Sequence, residues 1–437
     1  MSFYSSYRTR QRVVARRDVS TVQSEAVSPL GQNARAPRVW TLGLIGMLVV
    51  TFSMVTQRLQ ISDLGGAIAI LGLFVQRDRI RCPGIIWLYL AFVAWAFIGT
   101  FASMFPEYAR DHVTERLKLT LIMLLAVNSL RTDRQLQIYV SFVVAIFMLF
   151  PLRSAFVNYV IGSRLFGRAV GPLIYANPND LAGVAMLVLS MSLFLGAAYS
   201  SDRRIRIASA VSSALLVLLI VLTQSRGALI GMTVGFGPAV IMLVSKRASR
   251  LVYAAIAVAV IVALAPTSVW ERYAGLQKLT NASTMGQADP EGSADERIRI
   301  QKIAWTIAQD HAFLGVGLGA YGRAHAIYAP QMGPKDTHDT YLNLAAETGF
   351  PGLILWLVTI ASLFRHASKA RKRQVDAGGR EPSAWLRRGL VAFLVAAIFG
   401  SYSGLNIFYL FLSTVWAESS FGRVQKAAPV SPVVKVA

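Results

Sequence analysis

Cysteine is all but missing from this chain. Cys82 is the single one among 437 residues, so no intrachain disulfide is possible. Charge is scarce as well. Only 15% of the residues are Asp, Glu, Lys or Arg, against about 25% in an average soluble protein. Acidic residues are the rarer kind, 22 against 44 basic ones, which leaves a net charge of +22. Those basic residues form no contiguous face, and no nucleic-acid-binding fold is recognisable, so nucleic acid is excluded as a partner. Residues 1–38 lack any apolar stretch, the first beginning near Trp40. A cleavable signal would place its apolar core nearer the start, so 1–38 reads as a disordered, basic cytoplasmic tail. No internal repeat and no soluble domain is evident.

Apolar residues supply what charge does not. They make up 54% of the chain, with a mean hydropathy of +0.50. They lie in blocks of roughly 17–25 residues, the length that crosses a bilayer as a helix. About twelve blocks result, near 40–57, 61–76, 84–104, 116–130, 136–161, 179–199, 207–223, 227–244, 251–266, 339–364, 388–405 and 406–420. The expected fold is an all-α polytopic membrane protein. Helices 1–9 occupy 39–266, one large loop 267–337 and helices 10–12 residues 338–420, with a cytoplasmic tail over 421–437.

Charge gives an independent check on this count. With the N-terminus inside, the cytoplasmic connections carry Arg77/Arg79/Arg81, Arg131/Arg134, Arg203/Arg204/Arg206, Lys246/Arg247/Arg250 and the run from Arg365 to Arg388. Every even-numbered connection is then basic, as the positive-inside rule requires. Both ends lie in the cytoplasm and the large loop lies outside. Within that loop, residues 280–294 are small and polar and read as a flexible approach. Ser293 and Glu296 have capping-box spacing. Ile300, Ile303, Ala304, Ile307 and Ala308 follow at helical spacing, an amphipathic helix for the membrane or the bundle. Asn281-Ala282-Ser283 fits a glycosylation sequon, a pattern short enough to arise by chance.

Several arginines fall on the side that positive charge disfavours. Arg226 stands in the very tight Thr223-Gln224-Ser225-Arg226-Gly227 connection, with no flexible loop to carry it away. Arg164 and Arg168 precede Gly171-Pro172 and Asn177-Pro178-Asn179-Asp180, and Arg297 and Arg299 begin the loop helix. Each taken alone could snorkel to the interface or meet a lipid headgroup. Together, near one His, they suggest an anion site. A diphosphate suits it, because a guanidinium offers a planar fork of donors to phosphate oxygens.

That His is His338, at the end of Thr337-His338-Asp339-Thr340-Tyr341-Leu342-Asn343, where the loop re-enters the apolar region. It could equally cap a helix. Asp339 suits the first helical turn, and Glu347, nine residues past His338, lies about two and a half turns deeper. Polar groups at such depth are costly and are functional candidates by default. Gly315-Val316-Gly317-Leu318-Gly319 follows a helix rather than a strand, so it reads as close backbone packing or tight re-entry, not as a nucleotide loop.

In this order the motifs resemble the O-antigen ligase family, which also takes in O-antigen and exopolysaccharide polymerases and bacterial O-oligosaccharyltransferases. They are Asn-Pro-Asn after an Arg, Ser-Arg-Gly, Gly-Val-Gly-x-Gly and His-x-x-Tyr-Leu with Glu347-Thr348-Gly349-Phe350-Pro351-Gly352. The similarity covers roughly residues 160–365. It implies a GT-C-like membrane enzyme, multi-pass in the bacterial inner membrane and acting at its outer face. The implied donor is a glycan on undecaprenyl diphosphate, and the acceptor a sugar hydroxyl, for ligases the lipid A core.

Carried over by position, the resemblance makes Arg226 a holder of the donor diphosphate and His338 a general base or diphosphate ligand. Arg168 and Arg297 match family arginines. Arg164, Arg299, Asn177 and Tyr341 are taken with them as glycan or diphosphate contacts, and Asp339 and Glu347 as further candidate bases. The family most often has Asn where Asp339 stands. A carboxylate there would raise the pKa of His338 and favour its charged form. It also often has Pro where Ala312 stands.

The chemistry is sound without the name, since preorganised cations lower the barrier to losing a diphosphate. The outward loops show no Asp-x-Asp pair to hold Mg²⁺, so the expected reaction needs no metal or other cofactor. Two rivals stay open. One is a polymerase of the same family. The other is a lipid or solute transporter, whose internal repeats and midplane site are not seen here.

Overall fold

In the computed structural model, residues 39–57, 59, 61–76, 80–244, 293–376 and 381–421 are described. The expectations for the 1–38 tail, the span at 251–266, the sequon and the tail beyond 421 lie outside these residues. So do the basic run at 246–250 and nearly all of the 280–294 approach.

The innermost helix is α7, Pro178–Ala198, apolar on every side and buried over most of its length. A helix with no polar stripe belongs inside a bundle. Its start is set by sequence: the Asn177 side chain accepts the Asn179 N–H and Pro178 occupies the first turn. Around it pack α5 (Asp133–Phe147), α8 (Arg203–Leu222), α9 (Arg226–Val244) and α13 (Ser383–Ala396). Hydroxyls join α7 to α8, with Ser192 Oγ at 2.6 Å from Ser212 Oγ and 3.0 Å from Ser213 Oγ. Small hydroxyl residues are a common means of holding apolar helices together.

Outside this centre lie α1 (Leu42–Thr56) and α2 (Ser62–Gln76), packed as a pair. Next come α3 (Gly84–Thr100) and α4 (Pro106–Ser129). A π turn with Pro151 joins α5 to α6, Arg153–Val160. Two loop helices, α10 (Ser293–Asp310) and α11 (Tyr321–Tyr328), precede α12, Thr340–Asp376, and the last described helix is α14, Asn406–Ser420. Ten of the twelve apolar blocks thus coincide with helical stretches, 388–405 does so in part, and the remaining block lies outside the described residues. Among the described residues, four helical stretches are long and apolar enough to cross a membrane: Asp133–Val160, Pro178–Ala198, Arg203–Leu222 and Thr340–Ala370.

One block departs from expectation. The stretch 388–405 is not a single helix, because α13 ends at Ala396, a short 3-10 turn follows and Gly400 is extended. The turn beyond it is used to hold the start of α12, as described below. The amphipathic loop helix lies against the bundle: Ile300, Ala304, Ile307 and Ala308 of α10 are buried with Ala345 and Ala346 of α12. Glu296 pairs with Lys335 Nζ at 2.7 Å.

The Gly-rich segment packs backbone to backbone against a break in α12. At Gly349 the helix turns with φ 69° and ψ 173° and resumes through Pro351. A break frees carbonyls, and inside an apolar bundle each must find a donor. Val316 N–H donates to Ala346 O at 2.9 Å, Gly317 N–H to Glu347 O at 3.0 Å and the Trp95 indole to Thr348 O at 2.9 Å. Phe350 N–H in turn donates to Ala312 O. The approach leaves no room for side chains. A Cβ on Gly349 would lie 2.1 Å from Phe313 O, and one on Gly315 2.3 Å from the Glu347 carbonyl carbon. Both glycines also have positive φ. Gly349→Ala and Gly315→Ala are each expected to cost about 1–3 kcal/mol or more through overpacking and backbone strain. Thermal unfolding of the purified protein in detergent checks this; an unchanged midpoint would show that the break is not held this way.

Candidate active site

At the α12 start, sequence and packing act together. Asp339 Oδ1 accepts the N–H groups of Tyr341 and Leu342, at 2.8 and 3.0 Å, and so caps the helix. Thr340 Oγ1 donates to Gly400 O at 2.6 Å and accepts the Tyr402 N–H at 2.7 Å. Thr337 Oγ1 lies 2.8 Å from Ser401 Oγ. The 400–402 turn therefore fixes the residues on both sides of His338, whose own backbone is left-handed at φ 52°. For a non-glycine residue that conformation is uncommon, and such residues gather at functional sites.

From Tyr402 a chain of hydrogen bonds runs to the other motifs. Its hydroxyl donates to Asn179 O at 3.0 Å. Asn179 Oδ1 accepts from Arg168 Nη2 at 2.7 Å, and Arg168 Nε donates to Thr223 O at 2.8 Å. Ala169 N–H to Leu222 O and Gln224 Nε2 to Gly167 O complete the seam. Segments 55 and 223 residues apart along the chain are thus joined. Arg226 opens α9 directly after this seam, and its neighbour Gly227 packs on Phe399, beside the turn that holds Thr340.

Arg168 and, from α10, Arg297 lie close enough to His338 to act on it electrostatically. The carboxylate beside His338 is Asp336, with Oδ2 3.6 Å from Nδ1, and not the expected Asp339. Burial pushes the His338 imidazole below its ordinary pKa, Arg297 and Arg168 push the same way, and Asp336 and Glu296 oppose them. The expectation of a raised pKa is therefore reversed. Asp339 faces its own helix, and burial raises its carboxyl while the two N–H groups pull it down. A pKa below the ordinary histidine value favours the neutral imidazole, the form able to accept a proton.

Other candidates are placed elsewhere. Arg164 lies over the Tyr159 ring at 4.1 Å and donates to Tyr159 O. Arg299 is exposed. Asn177 is the α7 cap, and the Tyr341 hydroxyl donates to Leu394 O while its ring packs on Trp356. Glu347 is buried and accepts from Tyr321 N–H at 3.4 Å. It lines a cleft of about 390 Å³ together with His112, Arg116, Lys335, Asp336 and Asn343. His338, Arg168 and Arg297 are not in that lining.

Sequence reasoning passed over Asp336, Lys335, Asp180 and Arg116. Asp180 acts electrostatically with Asp336 and Tyr402. It could have been found, since it closes the Asn177–Asp180 motif. Asp336 lies two residues before His338. Arg116 opens the fourth apolar block and lies within α4, a charged residue at the edge of an apolar stretch.

Among known families, residues 211–357 match the one described as O-Antigen ligase. The match takes in the Ser-Arg-Gly connection, α10 and the His338 segment, and leaves Arg164, Arg168 and Asn177 outside it. No curated protein matches the chain.

A neutral base should titrate on the acid side. The acid limb of kcat/KM is expected below about 6.5, the ordinary histidine value. Asp336→Asn removes a group that raises the His338 pKa, so the limb should move to lower pH. A pH–rate profile of both proteins checks this, and a limb moving upward would exclude the Asp336–His338 pairing.

Proposed function

We propose, from a chain that belongs to the O-antigen ligase family, that it transfers a glycan from undecaprenyl diphosphate to a sugar hydroxyl such as one on the lipid A core. The observation that carries this reading is that Arg168 and Arg297 lie within electrostatic reach of a half-buried His338 held below its ordinary pKa. These side chains come from three distant segments and suit one reaction. His338 takes the proton of the acceptor hydroxyl, whose oxygen attacks the anomeric carbon. The bond from that carbon to the diphosphate oxygen breaks, and the lipid diphosphate leaves with the electron pair. Arg168, Arg297 and Arg226 hold the charge that develops on it.

General-base catalysis of this kind is worth about 10²–10⁴ in rate. The reaction draws on the donor's own bond, so no ATP is required. It takes place at the outer face of the inner membrane, the side that the charge alternation gives to the large loop. Asp339 and Tyr341 serve in this reading as the frame that presents His338.

Purified protein reconstituted with donor and acceptor tests the reading directly. Wild type should transfer glycan with no other protein present and undiminished in EDTA. His338→Ala and Arg226→Ala should lower transfer by about 10² or more, on the scale of a lost base or electrostatic donor, with membrane insertion intact. Asp339→Asn should be tolerated, because Asn caps a helix as well as Asp does. In cells, loss of the protein should leave long polymer on the lipid carrier. Single repeats there would identify a polymerase, and purified protein that moves lipid without transferring glycan would identify a transporter.

A further inference from the structure

We propose that the cleft beside Asp336 binds the acceptor, and that it receives an uncharged, polyhydroxylated sugar. It rests on the glycan-transfer reading above. At about 390 Å³ the cleft falls within the roughly 300–1,000 Å³ range of small-molecule sites. Its position fits a second substrate. Asp336 belongs both to the cleft lining and to the His338 pair. A hydroxyl held there is therefore one side chain away from the base, while Arg168 and Arg297 stand outside the cleft.

Around His338 the charged groups within electrostatic reach are Arg168, Arg297, Asp336 and Glu296. In the cleft each cation already lies beside an acidic group: Arg116 acts electrostatically on Glu347, and Lys335 is paired with Glu296. A phosphate or carboxylate entering there would meet cations that are already compensated. A sugar hydroxyl, which both donates and accepts, finds carboxylates, a guanidinium, the Asn343 amide and the Ser401 and Ser403 hydroxyls. Arg116 is a fixed part of this wall, its guanidinium lying over the Tyr409 ring at 5.7 Å. Glu347 then acts as a binding group rather than as a base. Its carboxylate is held by the Tyr321 N–H of α11, and its carbonyl closes the break in α12.

The test uses two variants in the reconstituted transfer assay, with donor and acceptor varied separately. Gly404→Leu fills the cleft. Gly404 has no left-handed φ, and a Cβ there meets nothing closer than Arg116 Nη2 at 3.9 Å, an ordinary contact. Arg116→Gln removes the guanidinium. Each is expected to raise the acceptor KM about tenfold or more while the donor KM stays within about twofold. A raised donor KM with an unchanged acceptor KM, or no change in folded Gly404→Leu, would overturn the assignment. An acceptor carrying a phosphate should bind no better than its dephosphorylated form; tighter binding that disappears in Arg116→Gln would overturn the preference for an uncharged sugar. A wild type that transfers nothing overturns the glycan-transfer reading itself, which no result with the variants alone would do.

Discussion

The structure depends on how one broken helix is made acceptable inside an apolar bundle. Gly349 interrupts α12 and exposes the carbonyls of Ala346, Glu347 and Thr348, each of which would cost several kcal/mol if left without a donor in hydrocarbon. Two backbone N–H groups of the Gly-rich turn and the Trp95 indole supply the donors. That exchange fixes α11 and the 312–317 segment against the membrane helix. It also places Glu347 and Asn343 in the cleft wall and leaves the first turns of α12 as a short, separately held piece. His338 stands at the head of that piece.

Two electrostatic environments meet across residues 335–338. On one side, burial of the ring, with Arg297 and Arg168 in support, lowers the pKa of His338. On the other, acids and bases cancel within the wall. The same short segment contributes to both, with His338 facing the arginines and Lys335 and Asp336 lining the cleft. Burial is the decisive quantity for His338, because it outweighs an acidic neighbour at ion-pair distance.

Much of this was legible in the sequence. Block length located most of the helices, and Asp339 was readable as part of the start of α12. The Gly-rich run was readable as close packing, though its partner was not, because a glycine records that something approaches and not what. The site was half visible. Arg168, Arg297 and His338 stood out through rare charge in costly places. The direction of the His338 pKa was misjudged because adjacency in sequence favoured Asp339, while the helix cap turns that side chain away and brings Asp336 near. Arg164 and Tyr341 illustrate the opposite error. Both have the right chemistry, and local geometry commits them to a ring and to a backbone carbonyl.

The seam at Gly349 has a consequence for biogenesis. Residues 312–317 leave the ribosome before the break in α12 does, and Trp95 earlier still. The donors are therefore already present when the acceptors emerge, and the interrupted helix need never enter the bilayer with bare carbonyls. The order of the elements along the chain thus supplies the donors of the break before its acceptors are made.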